Sequence, residues 1–321
     1  MIRKAPVKFK PYLKTVIWGG NKICGYKEID QPEPNIGESW EISAVPGHES
    51  VVIEGDYTGR TITDLISEFG EELIGSRVFE KYSRQFPLLI KFIDAADNLS
   101  VQVHPDDKLA KERHDSLGKT EMWYIIQSDR NARIYAGLKL KMTPEDYQKR
   151  VDDNTIMEAV AEHESNPGDV FFLPAGRVHA IGAGNLLAEI QESSDITYRI
   201  YDYNRKDKNG DTRELHTVLA KDAIDYNLYD DLKHPVAEDE GEDRNLVSCP
   251  HFTVNKIKSE GKKTLTPAAG SFTILMCIEG GGMLACDDGE ASIKKGSTLL
   301  IPASCEKINI DGSGVFLQVS C

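Results

Sequence analysis

The chain has 321 residues, 40% hydrophobic and 28% charged, with 26 glycines and 14 prolines, which excludes a disordered, collagenous or low-complexity protein. A formal net charge of −14 excludes a generic nucleic-acid or anionic-membrane surface, so an anionic substrate would need a local cationic pocket. The basic start MIRKAPVKFKPYLK lacks a signal-type apolar stretch, no run nears the roughly 20 apolar residues of a spanning helix, and six cysteines show no paired spacing. A cytoplasmic protein with reduced thiols, no membrane contact and no implied protein partner is the expectation.

Strand signals dominate in chain order. VVIEG comes first, followed by a periodic helical stretch over 61–82 with Thr61 or Thr63 as its cap. LLIKFID, LSVQVHP, MWYIIQ and ARIYAGL then read as strands, rich in β-branched or aromatic residues and bounded by turn formers. Thr143, Pro144, Glu145 and Asp146 read as a cap, a first-turn proline and an acidic first turn, predicting a helix over about 144–164. DVFFLP follows, and beyond residue 243 come FTVNKI, FTILMCI, GSTLLIP and VFLQVS. Five acids in the six positions Glu238 to Asp243 mark a solvated linker. The pattern predicts a mainly β protein of two jelly-roll units. Residues 1–235 form the first, with helical insertions, and residues 236–321 form a C-terminal β unit without a metal site.

A short repeat links the two units. Gly168 to Gly176 (GDVFFLPAG) and Gly296 to Ser304 (GSTLLIPAS) share the pattern Gly, five residues, Pro-Ala and a small residue. The first copy continues to His179; the second has no histidine at the matching place.

Three segments carry candidate chemistry. In Ser100-Val101-Gln102-Val103-His104-Pro105, strand parity puts Gln102 and His104 on one face, spaced for two ligands of one metal ion. Lys119 and Glu121 share a face by the same rule, and a carboxylate entering MWYIIQ needs a cation if it is buried. His179 follows a proline-glycine corner, where Gly176 permits close backbone approach. The other histidines (48, 114, 163, 216, 234 and 251) stand in loops or polar stretches and read as structural. Gln102, His104, Glu121 and His179 suit a divalent ion, either zinc or the iron of a non-haem oxygenase. Cations lie close in sequence: Lys91 interrupts an apolar run, as an acid–base lysine would. Lys119 sits beside Glu121, and Asp195 and Arg199 are four residues apart. That setting favours an oxygen-rich anionic substrate over O2.

At these residues a resemblance becomes specific. Trp18-Gly19-Gly20, Gly37-Glu38-Ser39-Trp40-Glu41, Leu99 to Pro105, Gly118 to Glu121, Pro174 to Ala180 and Ser193 to Arg199 recur in this order in type I mannose-6-phosphate isomerases, which are metal-dependent cupins. The likeness resembles their short bacterial branch and runs from about residue 9 to 235. Gln102 stands where most cupins have their first histidine, Glu121 lies far downstream of His104, and Ala183 replaces a usual asparagine. The resemblance implies one zinc ion on Gln102, His104, Glu121 and His179. It places Arg199 at the family's catalytic arginine, with Lys91, Lys119 and Asp195 in the pocket. The implied reaction interconverts D-mannose 6-phosphate and D-fructose 6-phosphate through a cis-enediol, a small phosphorylated sugar being the partner. The base is open among Lys91, Lys119 and a hydroxide on the metal. A cupin oxygenase and a non-catalytic sugar-phosphate binder are the rival classes.

Overall fold

A computed structural model describes residues 1–30, 33–206, 210–230, 232–234 and 243–321. The linker expected at Glu238 to Asp243 and the division near residue 235 fall largely outside these.

Three sheets carry the fold, and every pairing between their strands is antiparallel among the described residues. The central sheet has seven strands in the order Lys233–His234, Val170–Leu173, Glu121–Ser128, Asn185–Glu192, Leu88–Ala95, Tyr12–Gly20 and Ile36–Ile42. A five-stranded sheet runs Tyr198–Tyr201, Val101–Val103, His179–Ile181, Arg133–Leu138, Val160–Glu164. The third sheet is C-terminal and is built on three 13-residue strands, Thr253–Leu265, Thr273–Ala285 and Ile308–Ser320. Val7–Lys8, at the start of the chain, is one of its strands and pairs with Leu299 and Leu300.

The central sheet is covered on both faces, which explains why LLIKFIDA reads as a nearly unbroken apolar run. Leu88, Ile90 and Phe92 point into a core shared with Phe272, Ile274, Met276 and Leu317 of the C-terminal sheet. Ile93 and Ala95 point the other way, into a core with Ile134, Ala136 and Ile181 of the five-stranded sheet. Lys91 has the parity of Ile93, so the strand's own pleat carries its charge to the face between those two sheets.

Both predicted helical stretches are shorter or more broken than the periodicity suggests. Residues 61–82 form three helices, Ile62–Phe69, Glu71–Ile74 and Ser76–Tyr82. Gly70 and Gly75, both at positive φ, interrupt them. Thr61 is the cap, exchanging hydrogen bonds with Asp64 in a capping box. Thr143 caps the second helix in the same way, with Pro144 in its first turn, but that helix ends at Asp152. Asn154 adopts φ 58° and breaks it. Val160–Glu164 is a strand instead, because the edge of Arg133–Leu138 offers it a hydrogen-bonding partner.

The sequence repeat has a structural counterpart. Gly168 and Gly296 both take positive φ and donate to Ile125 O and Cys277 O respectively. Each feeds a four-residue strand, Val170–Leu173 or Thr298–Ile301, that ends at a proline turn. Glu121 lies opposite Leu173, and its counterpart opposite Ile301 is Thr273. By the same count the counterpart of His179 is Lys307.

Candidate metal centre and substrate cavity

Adjacent strands of the five-stranded sheet place Arg199, Gln102 and His179 in one cross-strand row. Neighbours in such a row point to the same face, so three side chains scattered over about 100 residues converge. His104 follows directly after the strand Val101–Val103. Glu121 opens the central-sheet strand that faces this row, so the cluster spans the gap between two sheets.

His104, Glu121 and His179 are all buried, with ligand atoms of the three within 4.8 Å of one another. His104 Nε2 lies 3.5 Å from Glu121 Oε2, and His179 Nε2 lies 3.2 Å from Glu121 Oε1. Ligand atoms of one tetrahedral ion bonded at ~2.0–2.1 Å stand about 3.4 Å apart, so these spacings fit a shared cation. The second ring nitrogens are tied down by main-chain carbonyls. His104 Nδ1 meets Ile196 O at 2.8 Å and His179 Nδ1 meets Arg177 O at 2.8 Å, which turns each Nε2 inward as a lone-pair donor. Burial lowers both imidazoles, His179 to about 4 and His104 well below its ordinary value, so both are neutral at neutral pH. Burial pushes the Glu121 carboxyl up, although Lys119 pulls against it. His104 Nε2 and both Glu121 oxygens are buried without a hydrogen-bond partner, the state expected of atoms waiting for an ion. The residues therefore could hold a divalent metal. Gln102 Nε2 lies 3.3 Å from His179 Nε2, and turning its amide would offer Oε1 to the same centre.

Two glycines make the local chain paths. Gly176, at φ 89°, turns the corner before His179 and donates to His104 O at 2.9 Å. A Cβ on Gly118 would stand 2.5 Å from Asp107 N, so only glycine lets the Lys119 loop lie against the start of the helix Asp107–His114.

Beside the cluster a cavity of about 380 Å3 opens, lined by Lys14, Lys91, Lys119, Arg199 and Arg213 with the acids Glu38, Glu189 and Asp195. Lys119 Nζ is 3.4 Å from Glu121 Oε2. Asp195 is exposed at the rim, and no ion pair joins it to Arg199 among the described residues. The strand starts only at Tyr198, so period-two parity does not reach Asp195. Arg199 is held by Ser100 Oγ at 3.3 Å and Glu214 O at 2.8 Å.

Lys91 differs from the sequence reading. Burial disfavours its ammonium, but Glu189 Oε1 at 2.9 Å and Glu38 Oε2 at 3.5 Å outweigh that and raise its pKa. It is a fixed positive charge, not a lysine tuned to give up its proton. Burial likewise works against the Glu38 carboxylate, yet Lys91, Lys14 and the Trp40 indole bring its pKa down to about 2. Glu38 and Glu189 are the residues that sequence reasoning missed. Glu189 interrupts the apolar run LLAEI as Lys91 interrupts LLIKFI, and the register pairs the two directly. Lys91→Met should leave the Glu189 carboxylate buried without its cation, while Glu38 keeps Lys14, and cost about 3–5 kcal/mol of stability. Urea unfolding checks this, and a loss below about 1 kcal/mol would show that the pair is solvated.

A mainly β chain with an imidazole–carboxylate cluster between two of its sheets is built like a cupin. Residues 7–131 match the family of the type I phosphomannose isomerase catalytic domain, and residues 242–321 match the mannose-6-phosphate isomerase cupin domain. The chain is 35% identical to the mannose-6-phosphate isomerase ManA of Bacillus subtilis over 96% of both chains. It is also 35% identical to the enzyme of Streptococcus mutans over 96% of this chain and 95% of the relative. The chain belongs to the type I mannose-6-phosphate isomerase family, and it is an isomerase. The crystal structure of a B. subtilis mannose 6-phosphate isomerase superposes with a TM-score of 0.87 at 33% identity, covering 98% of this chain and 99% of the other. A phosphomannose isomerase variant from Salmonella typhimurium shares the fold, with a TM-score of 0.78 over 98% of both chains at 16% identity.

Proposed function

We propose that the chain interconverts D-mannose 6-phosphate and D-fructose 6-phosphate at this cavity, with one zinc ion held by Gln102, His104, Glu121 and His179. The observation that carries the reading is the buried His104–Glu121–His179 cluster, with His104 Nε2 and both Glu121 oxygens unpartnered, at the wall of a cavity rich in lysine and arginine. When bound, the ion would supply Lewis-acid polarisation of the sugar oxygens.

The chain's own residues supply the rest. Five cations in a protein of net charge −14 form the local positive pocket that a phosphorylated sugar requires. Converting aldose to ketose removes the proton from C2 while O1 gains one, giving the cis-enediol. The O2 proton then leaves and C1 is protonated. Lys91, clamped by two carboxylates, stays charged and lends its field to the developing oxyanion. Lys119 has one carboxylate neighbour, itself shared with two imidazoles, and we assign it the proton transfer between C1 and C2. Arg199 remains protonated and stabilises enediolate charge. Asp195 closes the rim.

A coupled assay on mannose 6-phosphate tests the reading. Turnover should be lost on treatment with a chelator and return with added Zn2+. Sugar-phosphate binding without interconversion would make the chain a binder instead, and metal-dependent O2 uptake would make it an oxygenase.

A further inference from the structure

The C-terminal sheet does more than cover the core. His251 lies in the tight turn between the strands Arg244–Ser248 and Thr253–Leu265, where Cys249 N donates to Phe252 O at 3.0 Å. Phe252 anchors the turn in the shared core, and Lys81 Nζ donates to Pro250 O at 3.0 Å. From there His251 Nδ1 lies 2.8 Å from Glu192 Oε1, a close polar contact whose angles fall short of a hydrogen bond. Glu192 is 1% exposed and ends the central-sheet strand Asn185–Glu192. Its other oxygen, Oε2, accepts from Thr120 N at 2.8 Å, while its own N–H donates to Thr120 O at 3.1 Å. Thr120 is thus bracketed at both main-chain groups by one residue. Its Oγ1 also accepts from Ala175 N at 3.3 Å, in the corner that leads to His179. Thr120 stands between Lys119 and Glu121.

We propose that His251 is a positioning residue for the isomerase site: through Glu192 it fixes the Lys119-Thr120-Glu121 segment, so that the C-terminal unit sets the placement of the proposed proton-transfer lysine. This rests on the function proposed above. The physical argument is one of desolvation. A buried carboxylate oxygen that loses the imidazole 2.8 Å away turns toward water or draws it in, and the Oε2 contact to Thr120 N moves with it. Displacing a reacting group by about 1 Å is enough to cost up to ~10²-fold in rate.

The test is steady-state kinetics on the zinc-loaded chain, with Tm and zinc content measured in parallel. His251→Leu should lower kcat about 10- to 100-fold with KM within about twofold, and zinc content unchanged. His251→Asn places an amide N–H near the lost Nδ1 and should restore most of kcat, as should Glu192→Gln relative to Glu192→Ala. A purely structural contact would lower Tm and leave kcat and KM of the folded fraction alone, and that result would overturn the proposal. So would loss of a zinc ion in His251→Leu, since Asp107 also lies close to the pair and the three could then be ligands. If wild type itself fails to isomerise the sugar phosphate, the reading of function falls first. An active wild type with an equally active His251→Leu sinks the positioning role alone.

Discussion

Replacing both imidazoles, His104→Ala with His179→Ala, should strip the chain of bound metal and take isomerase activity to background. Each imidazole is held by a main-chain carbonyl that fixes which nitrogen faces the cluster, and no alternative histidine lies within reach among the described residues. The double variant leaves Glu121 as the one charged ligand of the set, with Gln102 beside it, and two neutral or anionic oxygens hold zinc poorly. Elemental analysis of protein purified in micromolar zinc measures the result directly. Full occupancy in the double variant would refute the ligand assignment. Loss of metal without loss of turnover would refute metal dependence.

The second largest effect should come from Arg199→Ala, with kcat falling roughly 10²–10³ and KM changing little. That is the size of loss seen when one donor to a developing oxyanion is removed. The guanidinium is well placed for the role, since it sits in the row that contains Gln102 and His179 and is braced by Ser100 and Glu214. Were it instead the phosphate clamp, KM would rise and kcat would fall less. Arg199→Lys separates the cases further, because lysine keeps the charge and loses the planar fork. Both parameters near wild type would place Arg199 outside the reaction.

Much of the candidate site was legible in the strand pattern. Gln102 lies in the strand Val101–Val103 and Glu121 opens Glu121–Ser128, while His104 and Lys119 each stand just beyond a strand end and still reach the site; the glycine-proline corner marks where the chain turns before His179. What sequence pattern could not supply was the partner across a sheet. Lys91 was readable as a buried charge, but its behaviour depends on Glu189, about 100 residues away and directly opposite in register. That carboxylate reverses the sign of the pKa shift expected from burial alone. Residues 160–164 failed for a related reason: VAEHE follows a good helix cap, yet the open edge at Arg133–Leu138 outweighs the local preference. His251 stands in a loop that carries no pattern of its own, and only tertiary packing brings that loop to Glu192.

The pairing of Val7–Lys8 with Leu299 and Leu300 bears on how the molecule is made. Synthesis at about 5–20 residues per second leaves residues 7 and 8 without these hydrogen-bonding partners for roughly 15–60 seconds, until residues 299 and 300 are made. The central sheet faces the same delay, since Leu88, Ile90 and Phe92 need Phe272 and Leu317 to cover them. A nascent chain therefore carries an unpaired strand until residues 299 and 300 are made, and an exposed apolar sheet face from the completion of Asn185–Glu192 until Phe272 and Leu317 follow. Their arrival closes both, joining residues 7–8 to a sheet otherwise built from residues 244–320.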